Sequence, residues 1–255
     1  MLKLISDMSR FSPLRFRVFD ACLLRYRYQY IDRIPARLRP QDTAGSLVHR
    51  VLCDFFSKVP PDERTADKLT QMFEEGWEAL SPRYRRMEGV DSLRTSSMEQ
   101  LILFANQHDL SARPFMVEPY FQVDVAPGVT LFGRVDRIDE EPDGTLHVID
   151  YKTGSQPDEI DARQLRLYAI MAEESLCKTV TRTSFWYLDD GRTWTAELTD
   201  EDKHRARLEL LDAVSLMASV SEFPPNVGPH CGHCPYLYAC SEREEIERRR
   251  GAEGW

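Results

Sequence analysis

The sequence predicts an α/β fold, with α+β as the alternative, in a single domain that spans residues 1–255. Two observations lead to this prediction. The first half of the chain has a mostly helical pattern, and the second half changes to short runs that are rich in β-branched and aromatic residues. Three consecutive strands, a helix and further strands, preceded by helices, indicate a domain in which helices cover a sheet.

The predicted elements follow one another without an internal repeat, a low-complexity tract or a long flexible linker. The second helix has Asp42 or Thr43 as its candidate N-cap, because short polar side chains accept hydrogen bonds from the free N–H groups of a first turn. The predicted helices cover about 12–31, 43–58, 63–80, 92–108, 159–174 and 200–219. The predicted strands cover about 115–125, 129–139, 146–152, 180–188 and 192–198.

The turn between the second and third strands fixes which residues of the two strands face each other. Its sequence, "EEPDGT", suits a type I turn followed by a left-handed glycine, Gly144, which makes a three-residue hairpin loop. This loop places Asp136 directly opposite Asp150, with Cα atoms roughly 4.5 to 5.5 Å apart. A two-residue Asp-Gly turn would instead pair Asp136 with Tyr151 and would put the two acids on opposite faces.

The third strand carries an acid and an amine on one face. In "HVIDYKTG", alternation sends Asp150 and Lys152 to the same side. Two carboxylates that face each other across a hairpin repel unless a cation lies between them, and Mg²⁺ or Mn²⁺ accepts such oxygen ligands. Lys152 is then placed to hold or deprotonate an attacking water. The alternative interpretation is an exposed strand face with a weak cross-strand salt bridge.

Charge is distributed unevenly along the chain. The formal net charge of −9 argues against a nucleic-acid partner, but residues 1–40 hold nine Lys and Arg against three Asp, Lys3 and Asp7 included. Aromatic residues are interleaved with these cations, so the segment could follow a phosphate backbone and stack on bases. The alternative is a solvated helix whose aromatic side chains face the core. The aromatic residues concerned are Phe11, Phe16, Phe19, Tyr26, Tyr28 and Tyr30.

The sequence contains no apolar run of the length that a signal peptide or a membrane span requires, so a cytoplasmic protein without a membrane partner is expected. Six cysteines in a reducing compartment are interpreted first as metal ligands rather than as a disulfide framework. Cys231, Cys234 and Cys240 form a C-x₂-C-x₅-C cluster, which can chelate a metal or a metal cluster. Cys22 is the best candidate for a fourth ligand, and Cys53 and Cys177 are expected to be small core residues.

Four short motifs occur in a fixed order along the chain. They are "GSLVH" with Gly45 and His49, "GRVDR" with Asp136, "DYK" with Asp150 and Lys152, and "QLRLY" with Gln164 and Tyr168. This order resembles the RecB-like branch of the PD-(D/E)xK nuclease superfamily. The resemblance implies a restriction-endonuclease-like core, in which a central mixed sheet is flanked by helices, with a helical N-terminal part and a cysteine-stapled C-terminus. The stretch at about 60–110 is not covered by the resemblance and is expected to be a helical insert.

The resemblance also implies roles for individual residues. Lys152 would be the catalytic lysine, and Gln164 and Tyr168 would orient it or contact the DNA backbone. Arg137 would reach a phosphate or be structural, and Glu118 would join the site through a water. The implied metal ligands are His49, Asp136, Asp150 and the backbone carbonyl of Tyr151.

The cysteines resemble those of RecB-like nucleases that carry an iron–sulfur cluster, including AddB-type and CRISPR-associated nucleases. This resemblance implies a [4Fe–4S] cluster held by Cys22, Cys231, Cys234 and Cys240, which joins the two ends of the domain. Zinc is the alternative, either in a Cys₄ site or in a Cys₃His site with His230 or His233 in place of Cys22.

The function expected from these motifs is that of a metal-dependent DNA nuclease, an exonuclease on single strands or DNA ends in repair or recombination. The chain has no G-x-x-x-x-G-K-[ST] phosphate loop, so a helicase motor would have to be a separate subunit. One alternative is an end-trimming nuclease of CRISPR adaptation that works with a partner subunit. Another is a catalytically silent nuclease fold that serves as a DNA-binding subunit.

Overall fold

The computed structural model describes residues 9–253, and the helices predicted after residue 40 lie close to those of the structure. The region 60–110 is largely helical. Within the described residues, no helix combines the length and the apolar character that crossing a bilayer requires. The helices are α1 (Pro13–Ala21), α2 (Leu23–Tyr26), α3 (Pro40–Lys58), α4 (Ala66–Glu78), α5 (Pro82–Arg85), α6 (Val90–Gln107), α7 (Arg163–Leu176), α8 (Asp200–Ser219) and α9 (Arg243–Glu253), with a π-helical turn at Arg27–Ile31 and 3₁₀ turns at Pro61–Glu63, Pro229–His233 and Leu237–Ala239.

The strands are β1 (Arg10–Phe11), β2 (Met116–Val117), β3 (Tyr120–Ala126), β4 (Val129–Arg134), β5 (Arg137–Glu140), β6 (Leu146–Lys152), β7 (Val180–Tyr187) and β8 (Thr193–Glu197). They form two sheets, and the larger one is mixed. Its order is β2-β5-β6-β7-β8, with β6 antiparallel to β5 and parallel to β7. The smaller sheet has the order β1-β4-β3. The predicted mixed α/β fold is therefore confirmed.

The first two predicted strands are each divided, and this part of the prediction was wrong. The strand expected at 115–125 breaks between β2 and β3, and the strand expected at 129–139 breaks between β4 and β5. Glu118 has a left-handed backbone (φ 47°), and the next residue is a proline, which has no N–H to donate to a ladder. The two breaks are bonded to each other, since Glu118 N–H donates to the carbonyl of Asp136 at 2.9 Å.

The chain divides into two compact units. One contains residues 40–123 and 133–204, and we call it the sheet unit. Its core lies where α3, α4 and α6 pack together with the β6 residues Ile149 and Tyr151. Burial of each large apolar side chain contributes about 1.5–3 kcal/mol. The large side chains of this core include Leu47, Leu52, Phe55, Leu69, Phe73, Trp77, Leu101 and Phe104.

Helix α3 begins at Pro40, earlier than the N-cap predicted at Asp42 or Thr43. Proline suits a first helical position, because its missing N–H would have no partner there and its φ is already that of a helix. Asp42 lies in the first turn instead, where the positive end of the helix dipole favours a carboxylate. The early start leaves the rest of α3 continuous through Gly45 and His49.

The other unit contains residues 9–39, 124–132 and 205–253, and we call it the cysteine unit. The single helix predicted at 12–31 was wrong, because the helix is interrupted at Cys22, which has an extended backbone (φ −166°, ψ 117°). Backbone groups on either side of the interruption have hydrogen-bond partners outside the helix. Leu24 N–H donates to the carbonyl of Pro224 at 3.3 Å, and the Asn226 side chain donates to the carbonyl of Ala21 at 3.0 Å. The break therefore brings Cys22 next to the segment that precedes Cys231.

The aromatic side chains of the basic N-terminal segment mostly lie in the core of the cysteine unit. Phe11, Phe16, Phe19 and Tyr26 are each at most 8% exposed, so the prediction that they stack on bases was wrong. Arg15 is buried with them, and its guanidinium donates to the hydroxyl of Tyr26. The exposed cations of this segment are Arg10, Arg17, Arg27, Arg33 and Arg37. Lys3 and Asp7 of this segment lie outside the described residues.

Candidate active site and cysteine cavity

The hairpin between β5 and β6 has the predicted register. Arg137 faces Ile149 and Glu140 faces Leu146, as the three-residue loop requires. The loop is closed by the N–H of Glu141, which donates to the carbonyl of Thr145 at 2.9 Å, and Gly144 has the left-handed backbone (φ 84°). The two-residue turn is thereby excluded.

Asp136 precedes the first residue of β5, and its carboxylate contacts both β6 and α3. Its Oδ2 accepts a hydrogen bond from the backbone N–H of Tyr151 at 2.8 Å, and its Oδ1 lies 3.3 Å from Nδ1 of His49. Burial opposes protonation of His49, but the hydrogen bond to Asp136 and the nearby carboxylates outweigh it, so the pKa of His49 is raised. Gly45 lets α3 approach Thr153, the residue after β6, since a Cβ at position 45 would lie 3.0 Å from Oγ1 of Thr153.

Asp150, Lys152 and Gln164 form a closed set of polar contacts. Lys152 Nζ lies 2.6 Å from Oδ2 of Asp150 and donates to Oε1 of Gln164 at 2.8 Å. The amide of Gln164 donates to Oδ1 of Asp150 at 2.9 Å and to the hydroxyl of Tyr168 at 3.0 Å. Gln164 of α7 thus contacts both the acid and the lysine of β6, and Tyr168, one turn later, accepts a hydrogen bond from Gln164. All the residues that the sequence assigned to the nuclease site therefore belong to the sheet unit.

The charge on Asp150 is unfavourable in these surroundings. The residue is 4% exposed, and burial raises the pKa of its carboxyl, with Lys152 offsetting part of the shift and Asp136 adding to it. Its Oδ2 is buried and has no hydrogen bond of good geometry among the described residues, although Lys152 forms an ion pair with it. A buried carboxylate beside a second carboxylate is an environment that a divalent cation would relieve.

The donor set of two carboxylates and an imidazole fits a hard divalent cation. Across residues 9–253, however, no group of three or more His, Cys, Asp or Glu side chains is already arranged as a metal site. His49 and Asp136 are bonded to each other, and Asp150 is paired with Lys152. The residue types therefore fit a metal ion, and metal binding stays a prediction.

Glu118 lies beside this site, because its backbone N–H donates to the carbonyl of Asp136. Its carboxylate lies 3.8 Å from the guanidinium of Arg134. It also lies near Cys53, one turn after His49 on α3: burial, with Glu118 as the next cause, raises the pKa of the Cys53 thiol to about 11. The predicted water-mediated role of Glu118 is not tested by these contacts.

Arg137 lies in the core, so the prediction that it reaches a phosphate was wrong. It is 3% exposed, and its Nε and Nη2 donate to the carboxylate of Asp139, at 2.7 and 2.8 Å. Its guanidinium lies over the rings of Phe56 (4.6 Å) and Trp186 (5.3 Å). Strand alternation points Arg137 away from the face of Asp150, and this alternation was the sequence signal for the structural role.

His108 adds an acid-sensitive contact to the same core. Its ring stacks on Trp186 with centroids 4.0 Å apart, and burial, with Arg137 as the lesser cause, lowers the pKa of His108 to about 4. Between that value and about 6.5 the unfolded chain binds more protons, so the free energy of unfolding falls as the pH falls.

We expect His108→Phe to keep the stacking and to remove this acid sensitivity. Because the imidazole is partly exposed, the wild type should lose only about 1–2 kcal/mol more than the variant between pH 7 and pH 4.5. Urea unfolding at both pH values measures the difference. Equal losses in the two proteins would show that His108 is not a source of acid lability.

The four predicted cluster ligands line one cavity in the cysteine unit, which Arg25 and His230 also line. Burial raises the pKa of Cys234 and Cys240, and the neighbouring Cys22 and Cys231 thiols raise both further. Thiols that disfavour one another's ionisation in this way suit a shared cationic centre, which binds thiolates. The thiols are free, and as at the nuclease site, residues 9–253 show no completed metal geometry here.

The surroundings of the cavity bear on the choice of a fourth ligand. Cys22 Sγ lies 3.4 Å from the backbone N of Asn226, which donates to it, whereas Nε2 of His230 is bonded to the carbonyl of Asn226 at 2.9 Å. His233 is not among the cavity residues. These contacts favour Cys22 over either histidine. Cys177 is exposed, so its prediction as a core residue was wrong.

Comparisons with known proteins agree with the motifs. Residues 10–241 match the PD-(D/E)XK nuclease superfamily. Gene 69 protein of Mycobacterium phage D29 is 25% identical over 264 residues, which cover 87% of this chain and 93% of that protein. One subunit of the ATP-dependent helicase/deoxyribonuclease of Clostridium tetani is 25% identical over 142 residues, or 51% of this chain but 12% of the relative.

The fold is also found in a solved structure. A protein from Eubacterium rectale, assigned as an exonuclease, has a TM-score of 0.55 over 89% of this chain and 88% of its own, at 10% identity. At this identity the likeness shows the fold alone, whereas the superfamily match covers most of the chain and includes every motif of the candidate site. The chain belongs to the PD-(D/E)XK nuclease superfamily.

Proposed function

We propose that this chain is a metal-dependent deoxyribonuclease, an exonuclease that hydrolyses phosphodiester bonds of single strands or DNA ends with Mg²⁺ or Mn²⁺. One observation supports the proposal most strongly. Asp136, Asp150 and Lys152 lie around a single hairpin, and His49 of α3 and Gln164 of α7 bond to them directly. Superfamily membership supports a DNA nuclease in general.

The proposed roles follow from the contacts. His49, Asp136, Asp150 and the carbonyl of Tyr151 would hold the metal ion, which when bound neutralises phosphate charge and lowers the pKa of a water. Lys152 would hold or deprotonate the attacking water. Gln164 and Tyr168 would act as positioning residues for Lys152, since Gln164 bonds to both Lys152 and Tyr168.

The biological setting is part of the proposal. A role in DNA repair or recombination, with a helicase as a separate partner subunit, is supported by the likeness to part of a helicase/deoxyribonuclease. An end-trimming nuclease of CRISPR adaptation is the alternative within the same chemistry. A silent DNA-binding subunit is less favoured, because a buried, charged site that costs stability would serve no purpose in it.

We further propose that Cys22, Cys231, Cys234 and Cys240 hold a [4Fe–4S] cluster, with zinc as the alternative metal. The cavity that these thiols share supports a common centre. The six free thiols suit a reducing compartment, and a cytoplasmic location belongs to the proposal. The assignment of residues 1–255 to one nuclease domain is also part of the proposal.

The proposal is tested by incubating oxygen-free purified protein with single- and double-stranded DNA labelled at either end. We expect cleavage with Mg²⁺ or Mn²⁺, none with EDTA, and recovery when the metal is restored. The ladder of labelled products gives the polarity. DNA binding without any cleavage by the folded protein would favour the silent subunit.

A further inference from the structure

The ammonium group of Lys152 has a third neighbour besides Asp150 and Gln164. Nζ lies 4.6 Å from the centroid of the Phe185 ring. Phe185 is on β7, where it is the parallel partner of Asp150, so its side chain is on the face that carries Asp150 and Lys152. A cation at this distance is attracted by the negative face of an aromatic ring.

The Phe185 ring is itself held in place. It is 3% exposed and packs beside Tyr187 on its own strand (6.1 Å between centroids) and Trp194 on β8 (6.0 Å). The Lys152 side chain, by contrast, is 25% exposed. The buried Phe185 ring is therefore held in place by its neighbours, whereas the Lys152 side chain next to it is partly exposed to solvent.

We propose that Phe185 is a positioning residue for Lys152, an inference that rests on the nuclease function proposed above. A lysine side chain has four rotatable carbon–carbon bonds to restrain, and a ring face restrains the ammonium without a further hydrogen bond. The ring also attracts the cation without adding a third negative charge beside Asp136 and Asp150. An acid at position 185 would add that charge.

The attraction is tested by replacing Phe185 with mono-, di- and trifluorinated phenylalanine, which keep the shape and progressively weaken the negative ring face. We expect the rate of DNA cleavage to fall stepwise, by about tenfold in total. The matched control is the same series at Phe104, which is buried against Tyr151 and Trp186. A flat series at Phe185, or an equal fall at Phe104, would overturn the inference.

A second readout does not depend on cleavage. In the metal-free protein, the ε-methylene NMR signal of Lys152 should be shifted upfield by the ring current of Phe185, and Lys152→Met assigns the signal. Phe185→Leu should abolish the shift and Phe185→Tyr should retain it. A signal at the ordinary lysine position in the wild type would overturn the inference even if the protein cleaves DNA, and a shifted signal in a protein that does not cleave would count against the nuclease proposal alone.

Discussion

Lys152→Met is expected to lower the rate of DNA cleavage by about 10³-fold while leaving the fold intact. The reason is that the ammonium bonded to Asp150 and Gln164 is the proposed group for the attacking water, and a positioned acid–base group contributes about 10²–10⁴-fold. Methionine is also unbranched and nearly as long, and it lacks the charge and the N–H donors. Single-turnover cleavage of end-labelled DNA with Mg²⁺ measures the change.

The control for this variant is Lys58→Met. Lys58 is also paired with an aspartate, Asp54, at 2.7 Å, but its side chain is 69% exposed at the end of α3. We expect wild-type cleavage from Lys58→Met, since exposed pairs of this kind contribute little. DNA binding in Ca²⁺ should be unchanged in both variants. Cleavage by Lys152→Met within a few-fold of the wild-type rate would remove Lys152 from the proposed mechanism.

Cys231→Ser is expected to abolish metal binding in the cysteine unit and to destabilise that unit by several kcal/mol. Cys231 is the most buried of the four thiols at 6% exposure, and a metal that binds only the folded state adds its binding energy to folding. The wild type, purified without oxygen, should contain about four iron atoms per chain and absorb visible light. Metal analysis and thermal unfolding measure both effects.

Cys177→Ser is the matched control, because Cys177 is an exposed thiol of the sheet unit. It should keep the metal content, the colour and the unfolding temperature. If the wild type contains one zinc ion and is colourless, the zinc alternative would be correct and the iron–sulfur proposal would be wrong. Full metal content and stability in Cys231→Ser would contradict a shared metal centre at this cavity.

Much of the candidate site was predictable because it depends on local rules. The Pro-Asp-Gly turn determines the hairpin register, the register brings Asp136 toward Asp150, and alternation puts Lys152 on the same face. The helical i, i+4 spacing likewise puts Gln164 and Tyr168 on one face of α7. None of these steps requires knowledge of distant packing.

Features that depend on tertiary contacts were not predictable in the same way. The break at Cys22 is held by Pro224, which accepts from the N–H of Leu24, and by Asn226, whose side chain donates to the carbonyl of Ala21. Both partners are about two hundred residues away in the sequence, so a local helical pattern could not reveal the break. The division of the strands at Glu118 likewise depends on a bond to Asp136. Phe185 became relevant only when the parallel pairing of β6 and β7 brought it under Lys152.

The measurement that tests the central claim most directly is cleavage of end-labelled single-stranded DNA by the wild type and by Asp150→Asn, purified in parallel and assayed with Mg²⁺. Asparagine preserves the shape and removes the buried charge that the metal ion would require. We predict a product ladder from the wild type and at most about one part in 10³ of that product from the variant. Equal ladders from two equally folded proteins would contradict the assignment of DNA cleavage to this site.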